Sequence, residues 1–292
     1  MSTKVYKGYD KEALYAQYNN RAQISEEALD KIKSDQNERS AQYRRTAVRK
    51  YFDLSYGDHP RERLDIYLPE TDSSPLFAFI HGGYWQWNDK EGFDFLAKEI
   101  NASGAAFANI EYALCPEVSL TELTNQCRRA ICYLWLNASQ YGYDRERIVV
   151  SGHSAGGHLT AMMQATDWRA FNSSLSGKVV AAGLPISGIY DLEPIKFTPL
   201  NEAIKIDDAE VTELSPMFLR SFTKGDTTIV FGGAEYDEFH RQAYDLEDTL
   251  KKQGINVSTL KVTERDHFTV LSALGEPQST LFLAAMELLG LQ

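Results

Sequence analysis

The tightest constraint in this sequence is residues 148–160, IVVSGHSAGGHLT. Residues 148–151 are an apolar run suited to a buried strand, and residues 157–163 can run on as a helix. Between them lies Gly152-His153-Ser154-Ala155-Gly156, a G-x-S-x-G pentapeptide. In a strand–turn–helix setting this pattern presents a serine on a sharp bend with its hydroxyl exposed. Gly152 and Gly156 let strand and helix approach closely. The helix start beneath Ser154 supplies unpaired N–H groups and the positive end of a dipole. Ser154 is therefore the candidate nucleophile; the competing reading is a glycine-rich turn carrying an ordinary serine.

A chain of 292 residues with 43% hydrophobic content can fill one large core, so a single α/β domain over residues 1–292 is expected. The formal net charge of -11, without a basic block, argues against nucleic acid or an anionic membrane as partner. Cys115, Cys127 and Cys132 lack metal-ligand spacing and suit a reducing compartment. No apolar run is long enough to span a bilayer, and the start of the chain lacks an apolar leader segment. A cytoplasmic enzyme acting on a small molecule is the expectation. A homodimer is compatible with the sequence and not required by it.

Residues 1–47 are polar and tyrosine-rich, with a helix expected over residues 24–40 and Ser25 as its cap. They read first as an arm packed on the body; the alternative gives Tyr15, Tyr18 and Asn19 a part in covering a site. Residues 49–56 and Arg63–Leu68 read as a strand meander around a Gly57-Asp58-His59-Pro60 turn. Strands are expected at residues 76–80, 104–111, 179–186 and 227–231 and at Val257–Val262, with helices at Leu120–Tyr141, 239–253 and 279–289. This alternation implies parallel βαβ units. Residues 187–226, broken by Pro194, Pro199 and Pro216, are long enough for a lid or cap, or for a packed insertion.

A serine nucleophile needs a base within hydrogen-bond reach and a carboxylate to orient that base. Of six histidines, His267 alone follows the last expected strand, where the base of an open α/β sheet belongs. His240 is the second choice; His153 is expected to point to the other side of the bend, and His158 to pack. The acid should follow strand 227–231, where Glu235 and Asp237 both qualify by spacing, and aspartate is the commoner triad acid. The N–H of Ala155 and the loop His81-Gly82-Gly83-Tyr84-Trp85 are candidate oxyanion donors.

These motifs resemble the kynurenine formamidases (arylformamidases) of the α/β-hydrolase fold. The carriers are the HGGxW-like loop at residues 81–85, GHSAGGHLTAMMQATDW at residues 152–168, SGIYDL at residues 187–192, LSP at residues 214–216, EFHRQ at residues 238–242 and DHF at residues 266–268. The resemblance covers about residues 48–289. It implies an α/β-hydrolase fold, and hydrolysis of N-formyl-L-kynurenine to L-kynurenine and formate. It implies a Ser154, His267, Glu235 triad, because the family acid lies four residues before the aromatic of the EFxxQ-like segment. It implies oxyanion contacts from Gly82, Gly83, Tyr84 and Ala155. Trp85 and Tyr190 are expected to line the substrate pocket, with Tyr84, Trp87 and Phe268 as further candidate walls. No metal or organic cofactor is needed. Competing readings are an esterase or amidase acting on another small substrate, and a non-catalytic binding protein on the same fold.

Overall fold

The computed structural model describes residues 3–223 and 225–291. Residues 1 and 2 of the expected arm, Lys224 of the expected insertion and Gln292 lie outside the described residues. In chain order the α-helices are α1 Lys11–Ala16, α2 Glu26–Thr46, α3 Phe95–Ala102, α4 Leu120–Tyr141, α5 Ala155–Gln164, α6 Trp168–Phe171, α7 Asn201–Ile204, α8 Asp208–Leu214, α9 Asp237–Lys252 and α10 Thr280–Leu289. The strands are β1 Arg49–Ser55, β2 Arg63–Leu68, β3 Ser74–Ile80, β4 Ala106–Ile110, β5 Tyr143–His153, β6 Ala182–Ile186, β7 Asp226–Gly232 and β8 Val257–Val262.

They form one sheet in the order β1-β2-β4-β3-β5-β6-β7-β8. β1 and β2 pair antiparallel, as do β2 and β4, and all later pairs are parallel. This is the α/β-hydrolase architecture, with the strand that carries the G-x-S-x-G turn between β3 and β6. Parallel strands covered on both faces should be apolar throughout, and all seven residues of β3 are buried. Alternation then divides them. Leu76, Ala78 and Ile80 join the core under α4 and α5, while Phe77 and Phe79 join the core under α3 and α10. On the second face Phe107 stacks on Phe77 and Phe79, with ring centroids 6.1 and 6.2 Å apart. Burying each such ring contributes roughly 1.5–3 kcal/mol.

Helix boundaries follow their caps. Ser119 accepts a hydrogen bond from Glu122 N to open α4, and Gly142 closes it at φ 84°. Ser25 caps α2 as expected, but α2 runs to Thr46 rather than stopping at Ser40. The extra turns are held from the body, since Arg44 pairs with buried Asp65 and Asp94 at 2.5 and 3.0 Å. Residues 187–226 break into α7, α8 and short 3-10 turns, and they bury Ile189, Leu192, Ile195, Val211 and Leu214. Much of that span is therefore packed against the body; among its described residues only Leu200 lines the cavity described below. Among the described residues no helix is long and apolar enough to cross a membrane.

Candidate active site

Between β5 and α5 the chain reverses at Ser154, whose backbone is held at φ 58° and ψ −116°. Such a conformation costs a non-glycine residue about 1–3 kcal/mol and persists only where its surroundings enforce it. Enforcement comes from close approach on both flanks. A Cβ on Gly152 would lie 2.4 Å from Gly156 O, and one on Gly156 would lie 1.9 Å from Ile80 O. Ser154 N donates to Ile186 O at 2.8 Å, which ties the bend to β6.

Two loops from later strands converge on the serine. His267 follows β8 and brings Nε2 to 2.9 Å from Ser154 Oγ. Its Nδ1 lies 2.5 Å from Glu235 Oε1, in the loop after β7. A carboxylate can only accept, so Nδ1 carries the proton and Nε2 is left to accept from Ser154. The other carboxylate oxygen, Glu235 Oε2, accepts from Gly232 N at 2.8 Å and from Ser187 Oγ at 2.9 Å. Ser187, Glu235, Ser154 and His267 are all buried. Asp237 is exposed at the start of α9, so the structure brings Glu235, and not Asp237, to the imidazole.

The remaining histidines take other roles. His240 Nε2 donates to Gly232 O at 3.0 Å, and His59 lies 3.2 Å from Glu117. His158 Nε2 donates to Leu214 O at 2.7 Å, and burial pushes its pKa down to about 4. His153 departs from expectation. It does not turn away but lines the cavity beside Ser154, with its ring 4.8 Å from that of His267. Burial and the neighbouring His267 lower its pKa well below the ordinary range, so it stays neutral.

The loop after β3 passes over the serine. A Cβ on Gly82 would come within 2.5 Å of His153 O and 3.1 Å of Ser154 Cβ, so only glycine fits. Gly83, Tyr84 and Trp85 all have positive φ, at 121°, 47° and 57°. Asn88 Nδ2 holds Gly82 O at 3.0 Å, and beneath the loop His81 stacks on Tyr112 and meets Glu111 Oε1 at 3.1 Å. Among the described residues nothing accepts a hydrogen bond from the N–H of Gly83, Tyr84 or Ala155. They are left available near the serine, Ala155 as the next residue and Gly83 and Tyr84 directly after Gly82, which packs on Ser154.

A cavity of about 640 Å³ opens from Ser154 and His267. Two expected wall residues are absent from it. Trp85 turns inward and is fully buried, packing edge-on against His158 at 5.2 Å. Tyr190 is buried in a core cluster with Ala161, Ile229 and Phe231, and its hydroxyl accepts from Gly188 N at 3.3 Å. The consecutive positive-φ residues reverse which side chains face out, so Tyr84 and Trp87 reach the cavity instead, joined by Phe268. Tyr15, Tyr18 and Asn19 also line it, so the arm is a wall of the cavity as well as packing.

The arm is held by a buried polar cluster. Tyr18 Oη donates to Glu238 Oε2 and accepts from Gln242 Nε2, both at 2.9 Å. Tyr84 Oη donates to Tyr18 O at 2.5 Å, and Tyr6 Oη donates to Asp191 Oδ2 at 2.6 Å. Gln242 Oε1 accepts from the N–H groups of Tyr190 and Asp191 at 2.5 and 2.8 Å. Sequence reasoning missed the roles of Ser187, Glu238 and Gln242, although all three lie within the family-like SGIYDL and EFHRQ segments.

Comparison with known proteins places this geometry. The BD-FAE family profile matches residues 64–213. The kynurenine formamidase of Danio rerio is 32% identical over 253 residues, covering 84% of each chain. This chain belongs to the kynurenine formamidase-like α/β hydrolases of the BD-FAE family. The kynurenine formamidase of Drosophila melanogaster is 29% identical, with 80% of this chain and 81% of the relative covered. A crystal structure from Silicibacter sp. tm1040 superposes with a TM-score of 0.80 at 32% identity, covering 92% of this chain and 97% of the other. Esterase B of Lactobacillus rhamnosis, at 17% identity and a TM-score of 0.72, shares the fold. In this α/β hydrolase the serine, histidine and glutamate come from the ends of β5, β8 and β7, each beyond the carboxyl end of a parallel strand.

Proposed function

We propose that this protein hydrolyses a small aryl formamide, N-formyl-L-kynurenine, to L-kynurenine and formate. The observation that carries the proposal is the unbroken series Glu235, His267, Ser154, which ends on a hydroxyl beside an aromatic-walled cavity. The activity named for relatives 29–32% identical to this chain supports the choice of substrate.

Chemistry proceeds in two halves. His267 Nε2 takes the Ser154 proton while Oγ attacks the formyl carbon. The carbonyl oxygen becomes an oxyanion and is met by the N–H of Ala155 and by the loop of Gly82, Gly83 and Tyr84. As the oxyanion collapses, the carbon–nitrogen bond breaks and His267 gives its proton to the aniline nitrogen, which leaves as kynurenine. A water then loses a proton to His267 and attacks the formyl ester. Ser154 recovers the proton and formate departs. Glu235 keeps Nδ1 protonated and balances the imidazolium that forms in each half. The reading needs no metal or organic cofactor, and all its groups come from one chain. Three free cysteines suit a cytoplasmic setting.

The test is kynurenine absorbance after mixing the protein with N-formyl-L-kynurenine, with Ser154→Ala as control. A kcat/KM of roughly 10^4 M⁻¹s⁻¹ or more, lost in the variant, is expected. A second reading, hydrolysis of a carboxylic ester, is favoured by the likeness to solved esterases, because the same triad serves both reactions. Faster turnover of p-nitrophenyl acetate than of the formamide, with Ser154 reactive to a fluorophosphonate, would select that reading.

A further inference from the structure

The cavity lining carries charges of both signs. The arm side carries Arg21 and Lys33. Both are exposed, and neither makes an ion pair or a side-chain hydrogen bond among the described residues. That is notable in a chain with 41 acidic and 30 basic residues. On the same helix as Lys33, Arg39 and Arg44 both find carboxylate partners. Asp89, at the end of the loop over Ser154, is the one acidic side chain among the described cavity residues. Burial raises its pKa, and the nearby carboxylates of Glu91 and Glu111 add to the shift. The cavity lining thus holds one carboxylate together with two unpaired cations.

We infer that Arg21 and Lys33 bind a carboxylate on the leaving group, and that Asp89 faces an ammonium on the same group. The site then reads an α-amino-acid head while the acyl carbon sits at Ser154. The inference rests on the proposed formamide hydrolysis and deepens it, because the oxyanion loop and the serine do not select among leaving groups. A guanidinium can hold a carboxylate through two parallel hydrogen bonds, and a nearby ammonium adds attraction without fixing geometry. Both cations are exposed, so salt must weaken the contact.

Three substrates separate the terms: N-formyl-L-kynurenine; 4-(2-formamidophenyl)-4-oxobutanoate, which lacks the ammonium; and N-formyl-2-aminoacetophenone, which lacks both charges. Combining Arg21→Gln with Lys33→Gln should lower kcat/KM by about tenfold on the two carboxylates, chiefly through KM, and by less than about twofold on the neutral ketone. Asp89→Asn should lower it on N-formyl-L-kynurenine alone. Added salt should narrow the gap between charged and neutral substrates for the unaltered protein. Lys31→Gln, on the same helix but outside the cavity, should change none of these. An equal loss on all three substrates, or no loss on the carboxylates, overturns the inference and leaves the formamide reading standing. If the unaltered protein cleaves no formamide, that reading falls. The head-group site is then read on phenyl acetate against 3-(3-acetoxyphenyl)propanoate. Selective loss on the latter in the double variant supports the site, and equal response overturns it.

Discussion

Ser154 and His267 reach the cavity, with Glu235 behind the imidazole, from the ends of adjacent or nearly adjacent parallel strands, whereas Tyr15, Tyr18 and Asn19 reach it from an arm laid across the outside. The strand-end groups are fixed by backbone: a forced bend at Ser154, a Gly232 N–H on Glu235, and a loop that only glycine can bring over the serine. The arm groups are fixed by side chains, through Tyr18 on Glu238 and Gln242 and through Tyr6 on Asp191. Ladder-anchored geometry suits bond making, which tolerates little displacement. A side-chain latch suits recognition, because it can be retuned without disturbing the sheet.

The sharpest way to break this contrast is the acid. Glu235→Gln should lower kcat by about 10^3–10^4 with the fold retained, because the wrong imidazole tautomer is then favoured. Asp237→Asn, two residues on and exposed, should leave kcat unchanged. Steady-state kinetics on both variants decides it, and a large loss in Asp237→Asn would return the acid to that position.

Gly82→Ala tests the loop. The added methyl meets His153 O and Ser154 Cβ, so the loop must lift away from the serine. A fall in kcat of about 10^2 with KM nearly constant is expected, the scale of losing one oxyanion donor. A change confined to KM would assign the loop to binding instead.

Acid stability probes the packing behind the serine. His158 keeps a pKa of about 4 in the folded protein against an ordinary 6.5, because burial disfavours its charged form. Below pH 6.5 the unfolded chain takes up the proton and the folded chain does not, so stability falls as pH drops from 6.5 toward 4. The full difference corresponds to about 3 kcal/mol. His158→Gln, which can still donate to Leu214 O, should flatten urea-derived stability across that window. An unchanged slope would point to other groups.

The smallest effect expected is on the arm. Tyr18→Phe removes two buried hydrogen bonds and leaves Glu238 and Gln242 each short of a partner, a loss of about 1–3 kcal/mol in arm docking. KM should rise a few-fold with kcat little changed. A kcat loss as large as that of Gly82→Ala would mean that the two walls are not separable.

Much of this was legible residue by residue. The G-x-S-x-G turn, the HGG loop and the single histidine beyond the last strand are short-range patterns, and the strand order placed them at one end of a sheet. Choosing Glu235 over Asp237 needed the family resemblance, since spacing admits both. In the structure Glu235 sits in a turn closing back on Gly232, while Asp237 opens α9 facing solvent. Trp85 and Tyr190 were misplaced because loop parity has no period to read: after three positive-φ residues, Trp87 faces the cavity and Trp85 the core. His153 was misplaced for a related reason, as the bend at Ser154 directs both neighbouring side chains by backbone angles that composition does not encode.

The family resemblance implied the α/β-hydrolase fold; by itself, then, the sequence pattern determined a sheet of parallel βαβ units, the position of the serine turn and the candidate base. These depend on local alternation, on glycine at forced contacts and on chain order. Tertiary structure alone decided that the arm walls the cavity, that Ser187 holds the far oxygen of Glu235, and that Arg21, Lys33 and Asp89 line one cavity. Those contacts join residues 48 to more than 200 positions apart, as between Ser187 and Glu235 or Tyr18 and Glu238. Their partners are chosen by packing of whole elements, a choice that no window of neighbouring residues contains.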